Sequence, residues 1–129
     1  MCGLRKIFAA SVLTLAMQFQ AFPLSAQTPD ARTFAFCAGR LSALMEHQWL
    51  FSDPLADQTM AQRDAMLALT EAIAAPADQA KLVLWRVEAK TAQAELLNIA
   101  SFGTNKTTAA RAAQRSEELV SACSALLLG

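Results

Sequence analysis

The 129-residue chain is 54% hydrophobic but only 7% aromatic and 17% charged, and its eleven basic residues balance eleven acidic ones. That length suits a single domain. The neutral balance argues against a nucleic-acid-binding protein, which needs a basic face for phosphates, and the apolar content argues against intrinsic disorder.

Residues 1–26 contain no acidic residue. Arg5 and Lys6 precede an apolar run from Ile7 to Phe22, Pro23 breaks it, and Leu24-Ser25-Ala26 ends on a small residue. Basic head, apolar middle and small-residue exit are the parts of a secretory signal peptide. The expected cut follows Ala26. It leaves a mature domain of residues 27–129 bound for the periplasm or the exterior. A retained anchor is the alternative, but the run of 16 residues includes Gln18 and Gln20 and falls short of the roughly 20 apolar residues a span requires. Membrane contact is therefore expected only in transit.

Without the leader, nine basic residues face eleven acidic ones, a net charge of −2, and 23 of 103 residues are alanine. Tyrosine is absent, and valine and isoleucine together number five. Sheets favour β-branched and aromatic residues, whereas helices favour alanine, leucine and the long straight side chains. An all-α domain is expected. Thr28-Pro29-Asp30 reads as a helix start, with a hydroxyl cap, proline at the first position and an acid in the first turn. That helix is predicted to run to Phe51 and stop at Ser52-Asp53-Pro54. A second is capped by Asp53 or Asp57 and reaches about Ala75. Pro76-Ala77-Asp78 starts a third, which ends at Gly103, a residue suited to helix termination. Thr104-Asn105 or Thr107 opens a fourth, continuing to Gly129. Four helices with short connections make an up-down-up-down bundle.

Apolar residues recur at alternating steps of three and four. The predicted seams are Phe34, Cys37, Leu41, Leu44, Gln48 and Phe51 on the first helix, and Leu82, Trp85, Ala89, Ala92, Leu96 and Ile99 on the third. The fourth offers Ala109, Ala112, Ser116, Leu119, Cys123 and Leu126. The second is less regular, with Met60, Met66, Leu69 and Ile73. Cys37 stands nine residues after Thr28 and Cys123 six before the chain end. At 1.5 Å per residue these heights differ by about 4 Å in antiparallel helices. An oxidising destination then predicts a Cys37–Cys123 disulfide, with two buried free thiols as the alternative.

Recognisable catalytic patterns are lacking. His47 is the single histidine, so HExxH is impossible. No CxxC or CxxCH occurs, and Gly39 is isolated, so there is no glycine-rich phosphate loop. Haem would need His47 with Met45, Met60 or Met66 as axial ligands, but methionines at helical spacing usually fill cores. No cofactor or metal is expected. Antiparallel alignment through the two cysteines sets Gln48 near Ala112 and Phe51 near Ala109. Large residues of the first helix then face alanines of the fourth. Two readings remain: simple packing complementarity, or a binding pocket formed by His47, Gln48, Trp49, Phe51, Ala109 and Ala112.

FCAGRLSALMEHQWL (Phe36 to Leu50) and LVLWRVEAK (Leu82 to Lys90) resemble small exported proteins of unassigned role from alphaproteobacteria, which implies a Gram-negative periplasm. An exported helical domain with a disulfide is also similar in kind to periplasmic acid-stress chaperones and to immunity proteins, although no motif of either is present. The expected function is a non-enzymatic envelope or periplasmic interaction module of immunity or chaperone type, its partner another envelope protein. The alternative is a small-molecule, haem or metal carrier using the His47/Trp49 end.

Overall fold

The computed structural model describes residues 29–128; the leader, its cleavage site, Thr28 and Gly129 lie outside the described residues. Four helices follow one another: α1 (Ala31–Leu50), α2 (Ala56–Ile73), α3 (Gln79–Phe102) and α4 (Lys106–Leu128), with a 3-10 turn at Pro76–Asp78 before α3. Strands are absent among the described residues. The all-α bundle is thus present, with helix directions alternating along the chain.

Local chemistry explains the helix ends. Asp30, rather than Thr28, caps α1: its Oδ1 accepts from the Thr33 backbone N–H and hydroxyl, each at 2.8 Å. One carboxylate oxygen thereby satisfies two donors of the first turn. Those bonds hold the Asp30 carboxyl below its ordinary pKa. Asn105 Oδ1 accepts from Thr108 N–H at 2.9 Å and caps α4 in the same way. The proline-led start predicted for the third helix begins as a 3-10 turn instead, and the α-geometry sets in at Gln79. At the end of α1, Ser52 N–H donates to Trp49 O and Asp53 N–H to Gln48 O, with Ser52 at φ 54°. This is a Schellman termination with serine in the left-handed position that glycine usually occupies.

α1 is the hub. Ten of its residues are buried, against four each in α2 and α3 and three in α4. Its broadest packing is with α3 and then α2, while α4 packs chiefly on α3. α1 and α3 run parallel: Arg32 lies over Trp85, Gly39 abuts Arg86 to Lys90, His47 meets Ser101, and Phe51 stacks on Phe102. The close approach depends on small residues, Ala35, Gly39 and Ala43, one turn apart on α1. A Cβ at Gly39 would collide with the Arg86 carbonyl oxygen and lie 3.0 Å from the Lys90 nitrogen.

The largest cluster gathers Phe34, Cys37, Ala38, Leu41, Met66 and Cys123. Within it the predicted Cys37–Cys123 bridge is formed, with Cα atoms 5.4 Å apart and 86 residues of separation. The predicted seam of α3 is displaced in its second half. Ala92 is exposed, and Gln93 and Leu97 are buried instead. Gln93 Nε2 donates to Ser116 Oγ at 2.7 Å, so a polar pair ties α3 to α4 where the apolar pattern pointed one residue away.

Alanine normally exceeds glycine in helix stability by about 1 kcal/mol. At Gly39 the sign inverts: Gly39→Ala is expected to destabilise by about 1–3 kcal/mol through overpacking, measured by denaturant unfolding. Replacing Cys37 and Cys123 together by alanine is expected to cost about 2–5 kcal/mol, given the length of the closed loop, and thermal unfolding under oxidising conditions will show it.

Candidate functional site

The C-terminal ends of α1 and α3 arrive side by side because the two helices run parallel. Here lie most of the residues singled out in the sequence. His47 is half-buried; its Nε2 is 3.1 Å from Ser101 Oγ on α3, and its ring centroid is 4.8 Å from that of Phe51. Phe51 in turn stacks on Phe102, with centroids 6.1 Å apart. Trp49, Phe51 and Phe102 are 52%, 55% and 63% exposed, and Leu50 and Leu55 beside them are exposed as well. A shallow hollow of about 190 Å³ sits between the helices, walled by Ala43, His47, Leu50, Leu97 and Phe102.

The structure therefore joins His47 and Phe51 to Ser101 and Phe102 of α3. Gln48 is buried, and its Oε1 has no hydrogen-bond partner among the described residues. Trp49 is on the surface beside it. Of the α4 residues in the predicted pocket, Ala112 is buried and Ala109 half-buried. α4 has far less packing on α1 than α3 does, so the neighbour beside the end of α1 is α3. Leu44 and Ser116 share a wall of a second cavity. It measures about 360 Å³ and is lined mainly by Leu44, Leu97, Ala100, Ala113 and Val120. Phe102 stands in the last turn of α3 before Gly103. Its aromatic character and the following glycine were visible, but its partner on α1, fifty residues away, was not.

The chemistry available at this end follows from its electrostatics. A serine within reach of a histidine is an effective nucleophile where donors or positive groups stabilise the oxyanion that forms on the substrate. Ser101 sits in the last turn of α3 beside the end of α1, where carbonyl oxygens, the negative poles of both helices, converge. That field opposes an oxyanion and favours a cation. Of the methionines weighed as haem ligands, Met60 is half-buried on α2. His47 faces Ser101 on α3, whereas Met45 is buried with its sulfur 3.4 Å from Arg63 Nη1 of α2, and Met66 is in the core beside the disulfide. Among the described residues no three His, Cys, Asp or Glu side chains are grouped as a metal site would require. Nor is any described helix long and apolar enough to cross a membrane.

Compared with known proteins, the chain matches no family model, no curated protein and no solved structure.

Proposed function

We propose that this chain is an exported, non-enzymatic binding protein of the bacterial envelope that captures an apolar segment of another envelope protein, in the manner of an immunity protein or a chaperone. The observation that carries the proposal is the aromatic end of α1 and α3, where Trp49, Phe51 and Phe102 are each more than half exposed and Phe51 and Phe102 are already stacked on one another. The exposed surface of the Phe51–Phe102 stack is unfavourable in water, and burying it against a partner recovers about 25 cal/mol per Å². Aromatic side chains held in place by neighbours lose little entropy on binding and are common anchors of interfaces. The convergent helix C-termini favour a partner segment that carries a lysine or arginine beside its apolar residues. Export is supported by the leader composition and by the disulfide, which persists in oxidising compartments.

The second cavity favours a different reading, a carrier of a small apolar molecule. Its volume of about 360 Å³ lies within the range of known ligand pockets, roughly 300–1,000 Å³. Native mass spectrometry of the purified protein separates the two: a bound small molecule that is lost in Ala113→Phe selects the carrier, and an unliganded chain counts against it.

For the interaction module, affinity capture from envelope extracts under non-reducing conditions is the test. Phe102→Ala and Trp49→Ala are each expected to lower recovery of the partner at least tenfold, about 1.4 kcal/mol. Their unfolding free energies should stay within about 1 kcal/mol of the parent, because these side chains are largely exposed. Undiminished capture by variants that are themselves destabilised would mean that the aromatic end is a packing feature and not a binding surface.

A further inference from the structure

α2 and α3 both pack on α1 but hardly on one another, and α4 packs chiefly on α3. A cleft therefore stays open between α2 and α3, with Gly39 and Ser42 of α1 as its floor. It consists of two adjoining hollows, of about 220 Å³ and about 160 Å³, that share Leu67 and Arg86. No described residue of α4 lines either one. The two walls run antiparallel, so Arg63 shares one end with Lys90 and Thr70 shares the other with Gln79. From Gln79 to Lys90 the cleft runs about 16 Å at 1.5 Å per residue.

The bed of the cleft is apolar. Leu82 is buried and Leu67 half-buried, while Val83 and Val87 are each more than half exposed. Arg63, Arg86 and Lys90 all line the larger hollow, and no carboxylate among the described residues does. Arg63 is bonded to Asp64 and Lys90 to Glu46, acids that stand outside the hollow. Half-buried Arg86, by contrast, has no carboxylate within 4.0 Å among the described residues. Glu71, at the Gln79 end, is the single acid lining the cleft among the described residues.

We propose that this cleft docks an amphipathic helix of a partner protein, its apolar face on Leu67, Val83 and Val87 and an acidic residue against Arg86. Walls made of helices have no free strand edge, so an incoming segment must satisfy its own backbone groups, as a helix does. Burial of exposed valine and leucine surface supplies the attraction. Charge selects the occupant. A half-buried guanidinium is ordinarily completed by a carboxylate that accepts its paired N–H groups. The chain's own leader has the wrong charge, because residues 1–26 hold Arg5 and Lys6 and no acid. A second copy paired cleft to cleft about a two-fold axis would set basic residues against basic residues. The cleft follows the N-terminal half of α3, away from the aromatic end, and does not depend on the function proposed there.

The probe is a synthetic alanine-based helix of about 18 residues with a leucine face, made in two forms whose flanking residues are glutamate or lysine. Each is titrated into the disulfide-bonded protein at low salt while the protein's methyl resonances are followed. The glutamate form is expected to shift Leu67, Val83 and Val87 saturably, and the lysine form to bind at least tenfold more weakly. Arg86→Gln should weaken the glutamate form at least tenfold, about 1.4 kcal/mol. Val87→Glu, on an exposed side chain that the fold does not need, should do the same, whereas Phe102→Ala should leave binding unchanged. Equal affinity for the two forms, or undiminished binding by Arg86→Gln, would overturn the proposal. Shifts confined to Trp49, Phe51 and Phe102 would move the peptide to the aromatic end and equally overturn it. Concentration-dependent shifts of Val83 and Val87 without peptide would give the cleft to a second copy instead.

Discussion

The contact at Gly39 governs the arrangement of this bundle. There the backbones of α1 and α3 approach so closely that the space for a single methyl group is taken by the Arg86 carbonyl. Close approach along the row Ala35, Gly39 and Ala43 goes with α1 being the most buried element of the domain. It makes α1 and α3 neighbours, and the alternating directions of successive helices make them parallel. Their C-terminal poles then coincide at one end of the molecule, and their N-terminal halves at the other.

That polarity separates two surfaces of unlike chemistry. At the C-terminal end, aromatic rings crowd onto each other and remain exposed, in a field that favours positive charge. Around the first half of α1, arginines gather over Phe36 and Trp85 with sulfur and rings as their nearest partners. The reversal at Ser52 belongs to the first surface. A serine held at φ 54° costs on the order of 1 kcal/mol relative to glycine, and this turn connects the exposed Trp49, Leu50 and Phe51 to Leu55.

α4 has the fewest buried residues of the four helices. Its attachment relies on the disulfide, the hydrogen bond from Gln93 to Ser116, and a short apolar margin near Val120 and Leu127. The bridge links the hub helix to the one least able to hold itself in place by apolar burial. A covalent link closing most of the domain limits the freedom of the unfolded chain, an effect that matters most where the core is thin.

The four helices were legible because alanine, leucine and straight-chain polar residues leave no plausible sheet, and because Pro54, Pro76, Gly103 and Asn105 punctuate them. The cysteine pair was legible because helical rise converts sequence position into height. The seam of α4 was legible because its apolar residues occupy a single stripe, whereas α1 is buried on several sides, with Ala35, Ala38, Ala43 and Met45 inside and the predicted seam residue Phe51 exposed. In the second half of α3 both faces are apolar: Ala92 and Leu96 compete with Leu97 and Ala100. Periodicity cannot choose between them, and a glutamine reads as solvent-facing until Ser116 is seen opposite it. At the candidate site, His47, Trp49 and Phe51 stood out by type, whereas Ser101 and Phe102 joined them only once α3 lay parallel to α1. The sequence by itself determined what is local: helix identity, helix ends and the height of each cysteine. Which helix lies beside which was decided by the tertiary structure, because that choice depends on how closely two backbones can approach, and the closest approach here rests on one missing methyl group at Gly39.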